Sequence, residues 1–482
     1  MNFTLKIMKG VMVLLAVWGL SACSGGMGRG SRIAEVAGAI DEGRFSEAVA
    51  MTETWRAEVA GDSLLVAALD SLADLTQRLR LEFSLSEEQI RERLAGSVGV
   101  FTEAEFHSWE EGGWLEWRMI DGEKRYFNRA ASNLKRLLDH RRGRDLPVEA
   151  AVPEPFDTFR MHHAAKIIEL PDLYGQPVLP VTLRVKYTLT VEADAVPPGE
   201  VIRCWLPWPR ENHLRQQEIR LLEAFPAGFF VAPDTVGQRS LYMEQKAEAG
   251  QPVRFETSFS WRSAGHYFDP AVLTLTPWCD PAEMREYLAE QPPHIRFTPR
   301  IRELSDSIVG HAATPMEAVR RIFCWIDSQI PWAGALEYGV MPNIPEYVLT
   351  RRHGDCGMKT LLFMTLARYN GVPVKWQSGW MMHPGEVNLH DWCEVWYEGA
   401  GWVPLDMSFG RLPSDDPRIR DFYMTGIDPW RLIVNDAVGE TFVPAKKYPR
   451  SEPVDFQRGE VEWRGGNLYF NRWSYRMSVE YL

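Results

Sequence analysis

Three residue types at three spacings could do chemistry in this chain. Cys356 follows Gly354-Asp355 and opens the run CGMKTLLFMTLARYNG. There Leu361, Leu362, Met364, Leu366 and Ala367 predict an amphipathic helix that stops at Asn370-Gly371. A thiol at a helix N-terminus faces unpaired N–H groups and the positive end of the macrodipole, so its pKa is expected to fall. The same amides can hold the oxyanion that forms when a thiolate attacks a carbonyl. Downstream, VPVKWQSGW (372–380) reads as a strand, and NLHDWCEVWYEGAGWVPLD (388–406) reads as two strands joined over 398–401. His390, Trp392 and Glu394 share one face of the first of these two, and Trp402, Pro404 and Asp406 share one face of the second. An antiparallel hairpin then sets His390 beside Asp406, with the Cys356 helix packed on the same sheet. That supplies a nucleophile, a base and a group that fixes the base's tautomer.

Other polar candidates near this constellation carry weaker signals. His353 lies on the turn before Cys356 and His383 precedes Pro384 in a loop; neither has a carboxylate at strand spacing, so each is expected to be solvated. Cys393 falls on the opposite strand face from His390 and is expected to be buried and inert, while Glu394 is expected to brace its strand. Besides Cys23, the cysteines are Cys204, Cys279, Cys324, Cys356 and Cys393. No pair has CxxC spacing, which argues against a zinc site or a redox dithiol, and an odd number leaves at least one thiol free.

The elements that must position the triad come in modules. Residues 33–82 read as helices, with Ile33, Val36 and Ile40, then Leu65, Leu69, Leu72, Leu75 and Leu79, at helical spacing. SEEQ (86–89) and TEAE (102–105) are capping boxes, and WLEWRMIDGEKRYF (114–127) is a hairpin turning at Asp121-Gly122. Helix, helix, hairpin is a winged-helix-like order, for which packing or peptide contact is the expected role. After a linker at 143–157, Val181, Leu183, Val185, Tyr187, Leu189 and Val191 alternate with polar residues, as do Val253, Phe255, Thr257, Phe259 and Trp261 around them. With VIRCWLPWP (201–209) these predict a β-sandwich of immunoglobulin-like build. Helices return near 295. TPMEAVRRIFCWIDSQIPW (314–332) opens with Thr314 as N-cap and Pro315 behind it, and buries Val319, Ile322, Phe323, Ile326 and Ile330, with Cys324 expected in the core. The chain is β-rich again after 410, with a hairpin turn at Gly465-Gly466. The fold class expected is multidomain α+β, with a helical module at 24–150, a sandwich at 151–290, a catalytic core at 291–415 and a β-rich extension at 416–482.

The first 23 residues stand apart. Lys6 and Lys9 precede an apolar stretch from Val11 to Leu20 that is too short to span a bilayer. LSAC (20–23) then resembles the lipobox of bacterial lipoproteins, in which Cys23 would be acylated and become the mature N-terminus. Ser24 behind it favours the outer membrane over the inner, so the expected address is the bacterial cell envelope with a lipid anchor in the membrane. A net charge of −12 argues against a nucleic-acid partner. The 19 tryptophans point to aromatic cores or aromatic-lined clefts.

Taken together, GDCG, LARYNGVPVKWQSGW and HDWCEVWYEGAGWVPLD resemble the core of the transglutaminase-like superfamily. Cys356 and His390 are 34 residues apart (390−356) and His390 and Asp406 are 16 apart (406−390), which fits that family. Papain-like enzymes keep the order but separate Cys and His much further. Val372-Pro373-Val374-Lys375 departs mildly from the family's Gly-Ile-Pro-Ala-Arg-like strand. The resemblance implies Cys356 as nucleophile, His390 as general base and later acid, and Asp406 as the orienting carboxylate, with no metal or organic cofactor. It also makes Trp332 an oxyanion-donor candidate, with core packing as the alternative. Tyr338, Trp380 and Trp392 are candidates to line a substrate groove, or else core aromatics. The implied reaction is cleavage of an amide or peptide bond, in a peptide, protein or cell-wall substrate, through an acyl-thioester. Acyl transfer between proteins, and a non-catalytic envelope scaffold with a vestigial triad, are the alternatives.

Overall fold

The computed structural model describes residues 26–144, 154–170 and 175–482. The lipobox with Cys23 lies outside the described residues, as does most of the expected linker. Among the described residues no helix is long and apolar enough to cross a membrane. The chain divides into two compact units, the described parts of Met1–Leu146 with Ala333–Tyr347, and of Pro147–Trp332 with Val348–Leu482.

The first unit is helical, with helices at Gly26–Asp41, Phe45–Glu58, Ser63–Glu82, Glu87–Val98, Glu103–Glu111 and Ala130–Arg144. Both expected capping boxes form: Ser86 pairs reciprocally with Gln89, and Thr102 with Glu105. Strands β1 (Trp117–Ile120) and β2 (Glu123–Tyr126) turn at Asp121 and Gly122, both at positive φ. Asn133 holds the 333–347 excursion in this unit, donating to the Gly334 carbonyl and accepting from its amide, each at 2.8 Å.

Strands of the second unit follow in chain order: β3 (Val178–Val191), β4 (Val201–Pro207), β5 (Gln216–Phe225), β6 (Phe229–Val231), β7 (Ser240–Lys246), β8 (Val253–Tyr267), β9 (Val374–His383), β10 (Glu386–Tyr397), β11 (Gly401–Leu405), β12 (Gly426–Ile427), β13 (Arg431–Asn435), β14 (Glu460–Trp463), β15 (Gly466–Leu468) and β16 (Trp473–Tyr481). Two antiparallel sheets, one running β12-β8-β3-β16 with β5 on β8 and the other β15-β14-β4-β7-β6, make the sandwich. The alternation read from sequence is what fills it: Leu183, Val185, Tyr187, Leu189, Phe255, Phe259 and Trp261 are all buried in one core. A third sheet, β11-β10-β9-β13, carries the candidate site.

Residues 416–482, expected as a separate extension, are divided among these sheets. β13 pairs with β9 of the site sheet, while β12, β14 and β16 pair with β8, β4 and β3 of the sandwich. An open strand edge leaves backbone N–H and C=O groups unpaired, and the tail supplies their partners. The Cys356–Tyr369 helix is likewise more central than an amphipathic helix would be. Every residue from Gly357 to Arg368 is buried, between the helix at Pro315–Gln329 and the sheet of β9 and β10. Its end is tied down by Arg368, whose Nε and Nη2 donate to the Val374 carbonyl at 3.1 and 2.7 Å.

Candidate active site

Asp355 starts the nucleophile helix: its Oδ1 accepts from the Met358 amide at 3.1 Å, so Cys356 occupies the first helical position, as expected. β10 and β11 pair with Cys393 opposite Leu405 and Glu394 opposite Pro404. Carried one residue further, that register puts Asp406 opposite Trp392, and His390, two residues along on the same face, is its diagonal neighbour. The two are joined by a 2.7 Å hydrogen bond between His390 Nε2 and Asp406 Oδ2, and both are buried. Because Nε2 is used by the carboxylate, Nδ1 is the nitrogen left to exchange a proton.

Asp406 is fully satisfied. Its Oδ2 also accepts from Arg431 Nη2 at 2.9 Å, and its Oδ1 accepts from the amides of Ser408 and Phe409 at 3.0 and 2.9 Å. Burial alone would raise its pKa; His390, Arg431 and the Phe409 amide outweigh burial and hold it below the ordinary carboxylate value. Burial lowers the pKa of His390, Asp406 opposes, and Arg431 adds to the lowering, so the ring is neutral at pH 7. Arg431 also bonds Asp428 Oδ2 at 3.2 Å, and Asp428 Oδ1 lies 3.0 Å from His383 Nε2. Two His–Asp pairs are thus bridged by one guanidinium, with the Phe409 ring 3.9 Å beneath it.

The thiol departs from expectation. Cys356 and His390 are not hydrogen-bonded to each other; instead Cys356 Sγ donates to Asp391 Oδ2 at 3.3 Å. His390 and Asp391 are neighbours on β10, so their side chains leave the strand on opposite faces. Asp391 is itself fixed by Gln457, whose Nε2 donates to Asp391 Oδ1 at 2.8 Å and to the His390 carbonyl at 2.9 Å. The lowered thiol pKa expected from the helix terminus is also reversed. Burial, with Asp391 and Asp355 close by, pushes the Cys356 thiol well up.

Of the remaining candidates, Trp332 is 41% exposed and forms a parallel backbone bridge with Gly354, two residues before Cys356, so it is not a core residue. Tyr338 is buried within the helical unit. Trp380 is fully buried in the sandwich core, stacked on Tyr187 at 4.9 Å with its Nε1 donating to the Gln457 carbonyl. Trp392 is fully buried against Ile427 and Ile433, its ring 5.9 Å from that of His390. None of these three lines a groove; each was equally readable as a core aromatic, and burial decides for that.

His353 and His383, expected in solvent, are both buried, and His383 has the carboxylate partner it was expected to lack. That partner, Asp428, lies beyond the motif-bearing segment, where no spacing rule reaches it. Cys324 is only half-buried rather than a core residue. Cys393 is buried with a raised thiol pKa, and Glu394 braces its strand through Lys375 at 2.7 Å and His213 at 3.2 Å. All five described cysteines are free. Sequence reasoning missed Asp391, Arg431 and Gln457. Asp391 carried a signal in its position beside His390; the other two carried none.

Residues 302–407 match the family model described as the transglutaminase-like superfamily. Among solved structures, the chain is similar to a candidate cysteine protease from Cytophaga hutchinsonii, at 14% identity and a TM-score of 0.43, covering 63% of this chain and 91% of that one. It is also similar to the periplasmic domain of TgpA from Pseudomonas aeruginosa, at 16% identity and a TM-score of 0.24, covering 50% of this chain and 90% of that one. No curated protein matches the chain.

Proposed function

Residues 302–407 belong to the transglutaminase-like superfamily, and from that premise we propose that the chain is a thiol enzyme that cleaves an amide or peptide bond. Cys356 is the nucleophile, His390 the base and Asp406 the carboxylate that orients it. The observation carrying this reading is the buried 2.7 Å bond from His390 Nε2 to Asp406, beside a strand neighbour that touches Cys356. In the reaction, a rearrangement that frees Cys356 from Asp391 and brings it to Nδ1 of His390 comes first; the thiol then gives up its proton as sulfur attacks the amide carbonyl. His390 returns that proton to the departing amine, leaving a thioester on Cys356. Water, deprotonated by His390, then adds to the thioester and releases the acid and the thiol. In this reading the amides of Cys356 and Gly357 stabilise both oxyanions, with the Trp332 indole as a further donor. In the same reading the N-terminal segment exports the protein and Cys23 anchors it by lipid in the bacterial envelope, where peptides, proteins and cell-wall amides are the substrates within reach.

A thiol-directed activity probe tests the assignment. Labelling at Cys356 that is lost in His390→Ala supports the enzyme; labelling indifferent to that change would establish a scaffold instead. Adding a labelled primary amine with a peptide substrate separates hydrolysis from transfer, since only a transferase incorporates the label.

A further inference from the structure

The bond between Cys356 and Asp391 has no part in the triad, yet it is built with care. Asp391 is 1% exposed and Gln457 is 3% exposed. Gln457 is held at two points besides its side-chain bonds: its amide donates to Glu452 Oε2 at 3.0 Å, and its carbonyl accepts from Trp380 at 2.8 Å. A buried polar group is costly unless paired, and the Gln457 side-chain amide directs its two bonds to the Asp391 carboxyl that touches the thiol and to the backbone of His390.

The charged surroundings work in the same direction. On its own helix the thiol has Asp355 at the cap and Lys359 one turn in; on β10 it has Asp391; and the segment before β14 brings Glu452 and Asp455 toward Asp391, with Arg458 beside those two carboxyls. Lys359 is the cation one turn along the helix from the thiol, and burial lowers its pKa. Carboxyls outnumber cations around this thiol, so ionising it where it sits is unfavourable. Asp391 is pushed well above the ordinary carboxylate value by burial and then by Asp455 and Asp355.

We propose that Asp391 is a positioning residue that holds the Cys356 thiol protonated and turned from His390 in the resting protein, with Gln457 fixing the Asp391 carboxyl. The proposal rests on the reading of Cys356 and His390 as nucleophile and base. It makes the resting thiol sluggish and gives the segment after 416 direct control over it, although that segment lies outside the family-matched residues.

The test is the rate of iodoacetamide alkylation at Cys356 in the full chain, followed by mass spectrometry from pH 5 to 10. Below the thiol pKa that rate tracks the thiolate fraction, so a fall of one pKa unit gives about a tenfold gain. Asp391→Asn should alkylate about tenfold faster than the parent at pH 7, and the gain should vanish in Asp391→Asn/His390→Ala. Gln457→Met loosens the carboxyl without removing it, and should give a smaller gain even if the Asp391 variant folds poorly. Parent-like rates in both folded variants, with alkylation of the parent still slowed by His390→Ala, would overturn the holding role and leave the enzymatic reading intact. Indifference to His390→Ala in every background would remove the base, and the proposal with it.

Discussion

Arg431→Met is the sharpest perturbation the site offers. Arg431 is fully buried, and its Nη2 bonds Asp406 at 2.9 Å and Asp428 at 3.2 Å. Methionine keeps much of the aliphatic stem but leaves two buried carboxylates facing each other without the cation. Removing one partner of a buried ion pair typically costs about 3–5 kcal/mol, and here two pairs share the partner, so a loss of about 4 kcal/mol is a lower expectation. Urea unfolding followed by tryptophan fluorescence measures it. The electrostatic consequence has a definite sign. Arg431 lowers the pKa of His390, so without it Asp406 holds the imidazolium more strongly and the ring protonates at higher pH. The acid limb of His390-dependent alkylation should therefore move up by about one pH unit. Arg431→Lys keeps the charge with a single head that cannot span both carboxylates, and should fall between. A variant that loses stability while its acid limb stays in place would refute the claim that Arg431 tunes the base.

Other outcomes follow from the same geometry. Asp406→Asn removes the acceptor that fixes the His390 tautomer, so His390-dependent turnover or labelling should fall on the order of 10³-fold; a drop under tenfold would count against the triad. In Gly379→Ala the new Cβ would lie 2.0 Å from the Leu432 carbonyl oxygen, between β9 and β13 and opposite His390. A cost of about 3 kcal/mol or more is expected from such overpacking, and an unchanged urea midpoint would contradict the register. Burial holds His266, His294 and His383 each at about 4, so the unfolded chain takes up protons first. Stability should be full above about pH 6.5 and drain as pH falls toward 4, and flat urea midpoints across that window would contradict the burial.

How much of this was legible depends on how local the signal is. Capping boxes, the Asp121-Gly122 turn and the period-two strands rest on neighbouring residues, and each appears where read. The His390–Asp406 pair was legible because a tight hairpin fixes the register of its two strands, and parity then decides which side chains meet. The thiol was not, because helix geometry gives the position of Cys356 but not which strand face its side chain meets. Asp391, one residue and one face away from His390, takes the contact. The tryptophans were ambiguous for a different reason: a large ring suits a groove or a core equally, and only the full fold decides between them. His383 shows the same limit, since Asp428 reaches it through a strand order that sequence does not display.

That nonlocal part makes the domain boundary itself testable. A fragment of 291–415 contains Cys356, His390 and Asp406 and all of the family-matched residues 302–407, yet it lacks four things the site uses. Without β13 the edge of β9 is unpaired along Ser378 to Met381. Without Arg431 the acid of the triad loses its cation, and without Gln457 the Asp391 carboxyl loses its anchor. Trp380, fully buried in the sandwich core, would face water. Exposing that indole and its neighbours forfeits about 2 kcal/mol or more per large side chain, before any loss of hydrogen bonds. Since a whole domain is stable by only about 5–15 kcal/mol, the fragment should not unfold cooperatively, and its cysteines should alkylate at the rate of a free thiol with no dependence on His390. Chain 147–482 keeps all four features and should retain both properties. A 291–415 fragment that melts cooperatively and still needs His390 for labelling would mean that the later strands only decorate the site, and that Arg431 and Gln457 are neighbours of the chemistry rather than parts of it.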